Sequence, residues 1–280
     1  MNMNYVCFNI TSECNMRCPY CYRVGNTKGK VSLENAVGYI DHLVRYGCKT
    51  INITGGEPLL NNEWKEIIKY CADKGLFIIL STNGMQLDLH DEGLDQIDVL
   101  SLPLDGGSPE VNRKTRSERH FFKIKNLIDE YVRSNYKFKL KINTVLSGYN
   151  YDKLDELLRL LDNSKIVWKI FELRKKGEYY EFPEDKVIAI EETIQSLLSI
   201  VNSQHKCSIY CMGKQMSELH GYNVKPNYIV LDYNGDIYLA DEEENKLLFN
   251  LNSATAEQRN YGPEDLLNNQ YCEELKNANK

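Results

Sequence analysis

The chain has 280 residues, and 34 Lys and Arg against 40 Asp and Glu give a formal net charge of −6. Apolar residues are 42% and charged residues 26% of the sequence, which excludes wholesale disorder and allows a sizeable core. No apolar run reaches the ~20 residues of a membrane span, and the acidic balance disfavours nucleic-acid binding. The opening Met1-Asn2-Met3-Asn4 lacks the basic region of a signal peptide. A cytoplasmic protein is therefore expected, with neither a membrane nor a nucleic-acid partner. Nine cysteines are too few for a disulfide scaffold of this length, and their odd number suits a reducing compartment.

Taken in chain order, short β-branched and aromatic runs predict strands over Tyr5–Ile10, Thr50–Thr54, Leu76–Ser81, Val99–Leu104, Lys137–Val145 and Ile166–Leu173. Helical stripes alternate with them: Val37, Ile40, Leu43 and Val44; Trp64, Ile67, Ile68 and Cys71; Ile124, Leu127, Ile128 and Tyr131; Leu154, Leu157, Leu158 and Leu161. Between the third and fourth strands the helical pattern is short, Leu87–Leu94. Such alternation predicts an α/β fold with parallel strands and right-handed crossovers. Six units fall short of a closed eight-fold barrel, so residues 1–175 are expected to form a partial (β/α)6 barrel.

From about Ile188 the rhythm changes. A helix at Ile194–Val201, a loop around Cys207, and strands Tyr228–Leu231 and Ile237–Leu239 turning at Asn234-Gly235 are expected, then a short helix near Pro263–Leu275. Residues 176–280 are thus expected to form a small α+β extension packed on the barrel.

The sharpest chemical feature is Cys14-Asn15-Met16-Arg17-Cys18-Pro19-Tyr20-Cys21, three thiols at spacing C-x3-C-x2-C just after the first strand. Three thiolates can hold three irons of a [4Fe–4S] cube and leave the fourth open. Structural zinc normally takes a fourth protein ligand, and the first histidine, His42, falls inside a helical stripe. Gly55-Gly56-Glu57-Pro58, Ser81-Thr82-Asn83-Gly84 and Asp105 then close the second, third and fourth strands, where ligands collect in parallel α/β folds. Pro103 stands inside the fourth strand, where it removes a ladder donor.

With an aromatic residue before its last cysteine, this loop resembles that of the radical S-adenosylmethionine (SAM) superfamily, and the resemblance runs over about Tyr5–Leu173. It implies one [4Fe–4S] cluster on Cys14, Cys18 and Cys21, with SAM bound at its open iron. Reductive cleavage of SAM would yield a 5′-deoxyadenosyl radical, the electron coming from a donor such as flavodoxin or ferredoxin. By the same resemblance Gly55, Gly56 and Glu57 would meet the SAM ammonium, and Ser81, Thr82 and Asn83 the ribose and carboxylate. Asp105 would lie near SAM, and Arg116, in a segment that also holds Arg113 and Arg119, would pair with its carboxylate.

Alternation along Lys139–Val145 places Lys139, Lys141 and Asn143 on one face, and Lys169 follows on the next strand. Inward lysines ask for an anionic small-molecule substrate. Lys141-Ile-Asn-Thr-Val145, Trp168-Lys-Ile-Phe-Glu172 and Tyr228-Ile-Val-Leu-Asp232 resemble viperin and its prokaryotic relatives, with departures at Val167 and Glu172. That narrower likeness implies an antiviral-type dehydration of a nucleoside triphosphate to a 3′-deoxy-3′,4′-didehydro nucleotide. Lys28, Lys141 and Lys169 would bind the triphosphate, Asn143 would face SAM and substrate, and Tyr228 would donate hydrogen. Two other readings stand beside it. Gly235-Asp-Ile-Tyr238 with Cys207, Cys211 and Cys272 resembles the twitch or SPASM extension of peptide-modifying radical enzymes, here without the Cys that commonly follows the Tyr. A non-catalytic metal-binding module would explain the three clustered cysteines but not the motifs at successive strand ends.

Overall fold

A computed structural model describes residues 4–21, 28–173, 181–188, 205–212, 228–240 and 245–252. The segments expected as helices at Ile194–Val201 and Pro263–Leu275, and Cys272, lie outside the described residues. Strands β1 (Tyr5–Asn9), β2 (Thr50–Thr54), β3 (Phe77–Ser81), β4 (Val99–Pro103), β5 (Lys139–Leu146) and β6 (Ile166–Glu172) pair in chain order, all parallel. Helices α1 (Leu33–Arg45), α2 (Trp64–Asp73), α3 (Pro109–Asn112), α4 (Glu118–Arg133) and α5 (Leu154–Leu161) fall between them. This is the α/β alternation that the stripes predict. Ser32 and Ser117 cap α1 and α4 by accepting from the Asn35 and His120 amides. In α2 the buried face is the expected Trp64, Ile67, Ile68 and Cys71. In α1 it is Ala36, Tyr39, Ile40 and Leu43, which leaves Val37 half-buried.

Three differences have physical causes. Residues 87–94 are not an α-helix: they are turns that run into a 3₁₀ segment at Glu92–Gln96. Asp88 and Asp91 accept from the His90 and Gly93 amides, and these local turns win over the apolar pattern, whose Leu87, Leu89 and Leu94 are buried all the same. Ser208–Met212, expected as loop, is a strand (β7) parallel to β6. The later strands β8 (Tyr228–Leu231), β9 (Asp236–Ala240) and β10 (Asn245–Asn250) include the expected hairpin at Asn234-Gly235. However, β8 pairs parallel with β1, so the described strands beyond residue 205 lengthen both edges of one ten-stranded sheet. Pro103 sits at the last position of β4, where a missing ladder donor costs least.

The sheet curls on itself. Cys7 on β1 and Lys169 on β6 are five strand spacings apart along the sheet, about 24 Å if it were flat. Yet the Lys141 and Lys169 charges reach the Cys7 thiol and act to lower its pKa, against the larger upward effect of burial. At the N-terminal ends of the strands Tyr5, Phe77, Ile79 and Val99 pack into a small cluster separate from the main core. They form an apolar floor under the inside of the curled sheet. The main core lies on the outer face, between strands and helices, and contains the fully buried Phe8, Ile40, Ile67 and Trp168.

Gly38 lies on the exposed side of α1, and nothing comes within 4 Å of where its Cβ would stand. Gly38→Ala should therefore raise unfolding stability by about 0.5–1 kcal/mol in urea titration. His120, in the first turn of α4, is fully buried, with Nδ1 3.2 Å from the Asn112 amide nitrogen. Burial, helped by the nearby Arg116 charge, pushes its pKa down to about 3. The folded state binds His120 neutral, so its contribution is complete above the unfolded value near 6.5 and is lost as pH falls from there toward 3. Urea titrations across that window should show a pH slope in wild type that is reduced in His120→Leu; equal slopes would refute the assignment.

Candidate functional site

The cysteine loop leaves β1 at its C-terminal end and is anchored by its flanks. Thr11 and Lys30 form an isolated bridge, and the Ser12 amide donates to the Gly29 carbonyl at 2.9 Å. Cys14, Cys18 and Cys21 are all half-buried. They are close enough to act on one another's charge, because Cys14 and Cys21 both raise the pKa of Cys18, after the larger effect of burial. They do not converge on a point: among the described residues no three metal-liganding side chains close on a single ion.

Gly55 and Gly56 serve this loop directly. The Gly56 and Glu57 amides donate to the Thr11 and Glu13 carbonyls, each at 2.7 Å. A Cβ on Gly56 would stand 2.1 Å from the Glu13 carbonyl oxygen, and one on Gly55 2.3 Å from that of Thr11. Gly55 also has φ +138, a conformation that side chains rarely allow. The expected close approach is thus made by the neighbouring backbone, which locks the β1 and β2 loops together.

Glu57 is almost fully buried at 1% exposure. Its Oε1 accepts from Thr82 Oγ1 at 2.5 Å and the Leu59 amide at 3.2 Å, and its Oε2 accepts from the Asn83 amide at 2.7 Å. Burial pushes the carboxyl pKa up against these three donors. Glu57 therefore ties the second and third strand ends together, and most of its accepting capacity is engaged by the protein. Asn83 continues the chain of contacts, because its Nδ2 donates to Asn15 Oδ1 at 2.7 Å and lies 3.9 Å from Cys14 Sγ. Ser81 turns the other way, into the barrel, where its hydroxyl donates to Asn52 Oδ1 at 2.7 Å.

At the fourth strand end, Asp105 is the hub. Its Oδ2 accepts from Arg116 Nε at 2.8 Å, from Thr115 Oγ1 at 3.0 Å and from the Tyr20 hydroxyl; Oδ1 accepts from the Val145 amide at 3.0 Å. The Arg116–Asp105 pair is buried, with side chains 8% and 2% exposed. Arg116 also donates from Nη2 to the Tyr20 hydroxyl at 2.8 Å and from Nη1 to Cys18 Sγ at 3.4 Å. The structure thereby separates the three arginines: Arg113 is exposed and pairs with Glu118, Arg119 is exposed, and Arg116 alone of them faces the cysteine loop.

Inside the curled sheet stand Lys141, as the alternation predicts, and Lys169, each 4% exposed. Asn143 donates to Ser101 Oγ at 2.9 Å, and its buried Oδ1 has no partner. Lys28, unlike this pair, is exposed. Tyr228 opens β8, one residue before the Ile229–Val6 pair, which puts its backbone level with Tyr5 at the floor. Its side chain lies outside the described residues. Its backbone thus starts from the strand end opposite the cysteine loop. Cys207 is a core thiol at 2% exposure, its pKa pushed up to about 11 by burial, and the Cys211 side chain is outside the described residues. Sequence reasoning missed Cys7, Asn52 and Ser101 as inward groups; period-two alternation on β1, β2 and β4 carried that signal. Nothing local marks Thr115, which reaches Asp105 only through the tertiary fold.

The Radical SAM superfamily model matches residues 8–161, more than half of the chain. GTP 3′,8-cyclase of Alkaliphilus oremlandii is 28% identical over 209 residues, 71% of this chain and 65% of that protein. The corresponding enzyme of Haemophilus ducreyi is 30% identical over 205 residues, 70% of this chain and 60% of that protein. This chain thus spans less than two-thirds of the length of these two relatives. Among solved structures, Streptococcus suis SuiB bound to S-adenosylmethionine shares the fold with TM-score 0.71 at 13% identity, over 84% of this chain and 60% of that one.

The glycine contact is testable without any ligand. Gly56→Ala must push the Glu13 backbone aside, at a cost of about 1–3 kcal/mol. Alkylation of Cys14, Cys18 and Cys21 under native conditions should accelerate accordingly; an unchanged rate would show that the loop does not depend on this contact.

Proposed function

The chain belongs to the Radical SAM superfamily and is an enzyme of that class, and from that premise we propose that it abstracts hydrogen from a nucleoside triphosphate held inside the barrel. The family implies a [4Fe–4S] cluster and SAM, and the residues fit both. Three half-buried thiols on one loop can each hold one iron of a cube and leave the fourth iron open. When bound, the cluster and SAM supply the 5′-deoxyadenosyl radical.

The chain's own residues supply everything else. Cys14, Cys18 and Cys21 would ligate one cluster, reduced by a flavodoxin or ferredoxin. Glu57, through Thr82 and Asn83, sets the loop beside that cluster where SAM would lie, and keeps accepting capacity on Oε2 for an ammonium. Two of the five guanidinium N–H groups of Arg116 remain for a carboxylate.

The observation that carries the substrate class is the pair of buried ammoniums, Lys141 and Lys169, within a chain of net charge −6. Long-range attraction of a polyanion is absent from such a chain, so binding must come from local contacts in a shielded interior. The unpartnered Oδ1 of Asn143, on the same strand as Lys141, can accept from a ribose hydroxyl. Relatives whose name specifies GTP support a nucleotide. The viperin-like segments favour dehydration to a 3′-deoxy-3′,4′-didehydro product, and the cyclase relatives favour ring closure. Either outcome begins with loss of a ribose hydrogen.

Anaerobic incubation of reconstituted enzyme with SAM, dithionite and each nucleoside triphosphate should release 5′-deoxyadenosine, with the product identified by mass spectrometry. Lys141→Ala and Lys169→Ala each remove a charged contact worth about 1.5–3 kcal/mol. Each should therefore raise the nucleotide KM by roughly tenfold or more while iron content and SAM binding stay unchanged. If neither KM moves, or deuterium from ribose-labelled nucleotide never reaches 5′-deoxyadenosine, the nucleotide reading falls.

A further inference from the structure

We propose that Arg116 sets the reduction potential of the cluster on the cysteine loop, through its N–H donor on Cys18. The proposal rests on the reading above, in that Cys18 is taken as a cluster ligand, but it concerns a property of Arg116 that the family assignment does not supply. Nη1 lies 3.4 Å from Cys18 Sγ, while Nε and Nη2 are held on the far side by Asp105 at 2.8 Å and the Tyr20 hydroxyl at 2.8 Å. The guanidinium is therefore oriented, with its donating edge toward the sulfur and its counter-charge behind it.

The geometry is also rigid. Asp105 is itself gripped by Thr115 Oγ1 and the Val145 amide, and its own amide donates to Asn112 Oδ1 at 3.1 Å. The Asn150 side chain donates to the Asp105 carbonyl at 2.8 Å. A planar fork with several fixed donors meets all of these demands at once, whereas an ammonium on a flexible stem cannot.

The chemistry follows from charge. The cysteine thiolates would hold a [4Fe–4S] cluster that takes one electron from an external carrier on passing from the 2+ to the + state, with no proton transferred. The added negative charge spreads onto the thiolate sulfurs. An N–H donor and a fixed cation beside one of those sulfurs stabilise the reduced state more than the oxidised one, which raises the potential. A buried donor acts strongly here because solvent does not screen it.

The test is an EPR-monitored redox titration of anaerobically reconstituted full-length protein, scored against iron content per chain. Arg116→Gln should keep the cluster yet lower the reduced fraction at a fixed potential about tenfold, a shift of about 59 mV for a one-electron couple. Arg116→Lys, which keeps the charge but not the fork, should shift in the same direction by less, and it carries the test alone if the Gln variant does not fold. Midpoints equal to wild type in cluster-loaded variants overturn the proposal while leaving the functional reading intact. A wild-type protein that assembles no cluster overturns the functional reading itself.

Discussion

The Arg116–Asp105 pair is the interaction on which the rest of the site depends. It joins four separate pieces of chain: the cysteine loop through Tyr20 and Cys18, the end of β4 through Asp105, the α3–α4 link through Thr115, and β5 through the Val145 amide. Taking both charges out of water is expensive, and a well-packed apolar substitute could be as stable. Removing one partner alone would leave a buried charge unmatched, at a cost of about 3–5 kcal/mol. What the pair supplies is therefore position more than stability: it holds a largely buried cation edge-on to a half-buried thiol.

A second constraint comes from the curled sheet. Residues that point inward from β1, β4, β5 and β6 share one interior, although they are spread over most of the first 170 residues. The apolar Tyr5, Phe77, Ile79 and Val99 fill its N-terminal end, so polar groups can gather only toward the C-terminal strand ends, where the cysteine loop sits. Two buried lysines stand in that interior, within a chain of net charge −6. The described strands beyond residue 205 lie at the two edges of the same sheet, with β7 beside β6 and β8 beside β1. They extend the wall of the site without capping it.

The parts that were legible in the sequence are those governed by period. Trp64, Ile67, Ile68 and Cys71 read as one helical face and are buried as one. Lys141 read as inward-facing from alternation on its strand, and it is buried together with Lys169. Where local hydrogen bonding competes with period, the reading slipped: Asp88 and Asp91 close turns across a segment whose leucines suggested a helix. Ser208–Met212 carries too little pattern of its own to mark a strand, and it forms one only because β6 offers an open edge. Tyr228 opens β8 at a level that no local pattern marks. A short motif identifies a strand but not the level at which it registers with its neighbour, and that register starts it at the barrel floor.

By itself the sequence determined the α/β alternation, the three-thiol loop after the first strand and the motifs at the second, third and fourth strand ends, because spacing and periodicity are properties of the chain alone. The tertiary structure decided which groups those motifs serve. Gly55 and Gly56 turn out to make room for the Thr11–Glu13 backbone, and Glu57 to bind its neighbours Thr82 and Asn83. It also selected Arg116 from three nearby arginines, since only that side chain is buried against a carboxylate and a cysteine sulfur. Contacts between residues 98 positions apart, such as Arg116 and Cys18, exist only once the strands between them have stacked in order and curled. The physical reason is that charge and hydrogen bonding act over a few ångströms of space, whatever the separation along the chain.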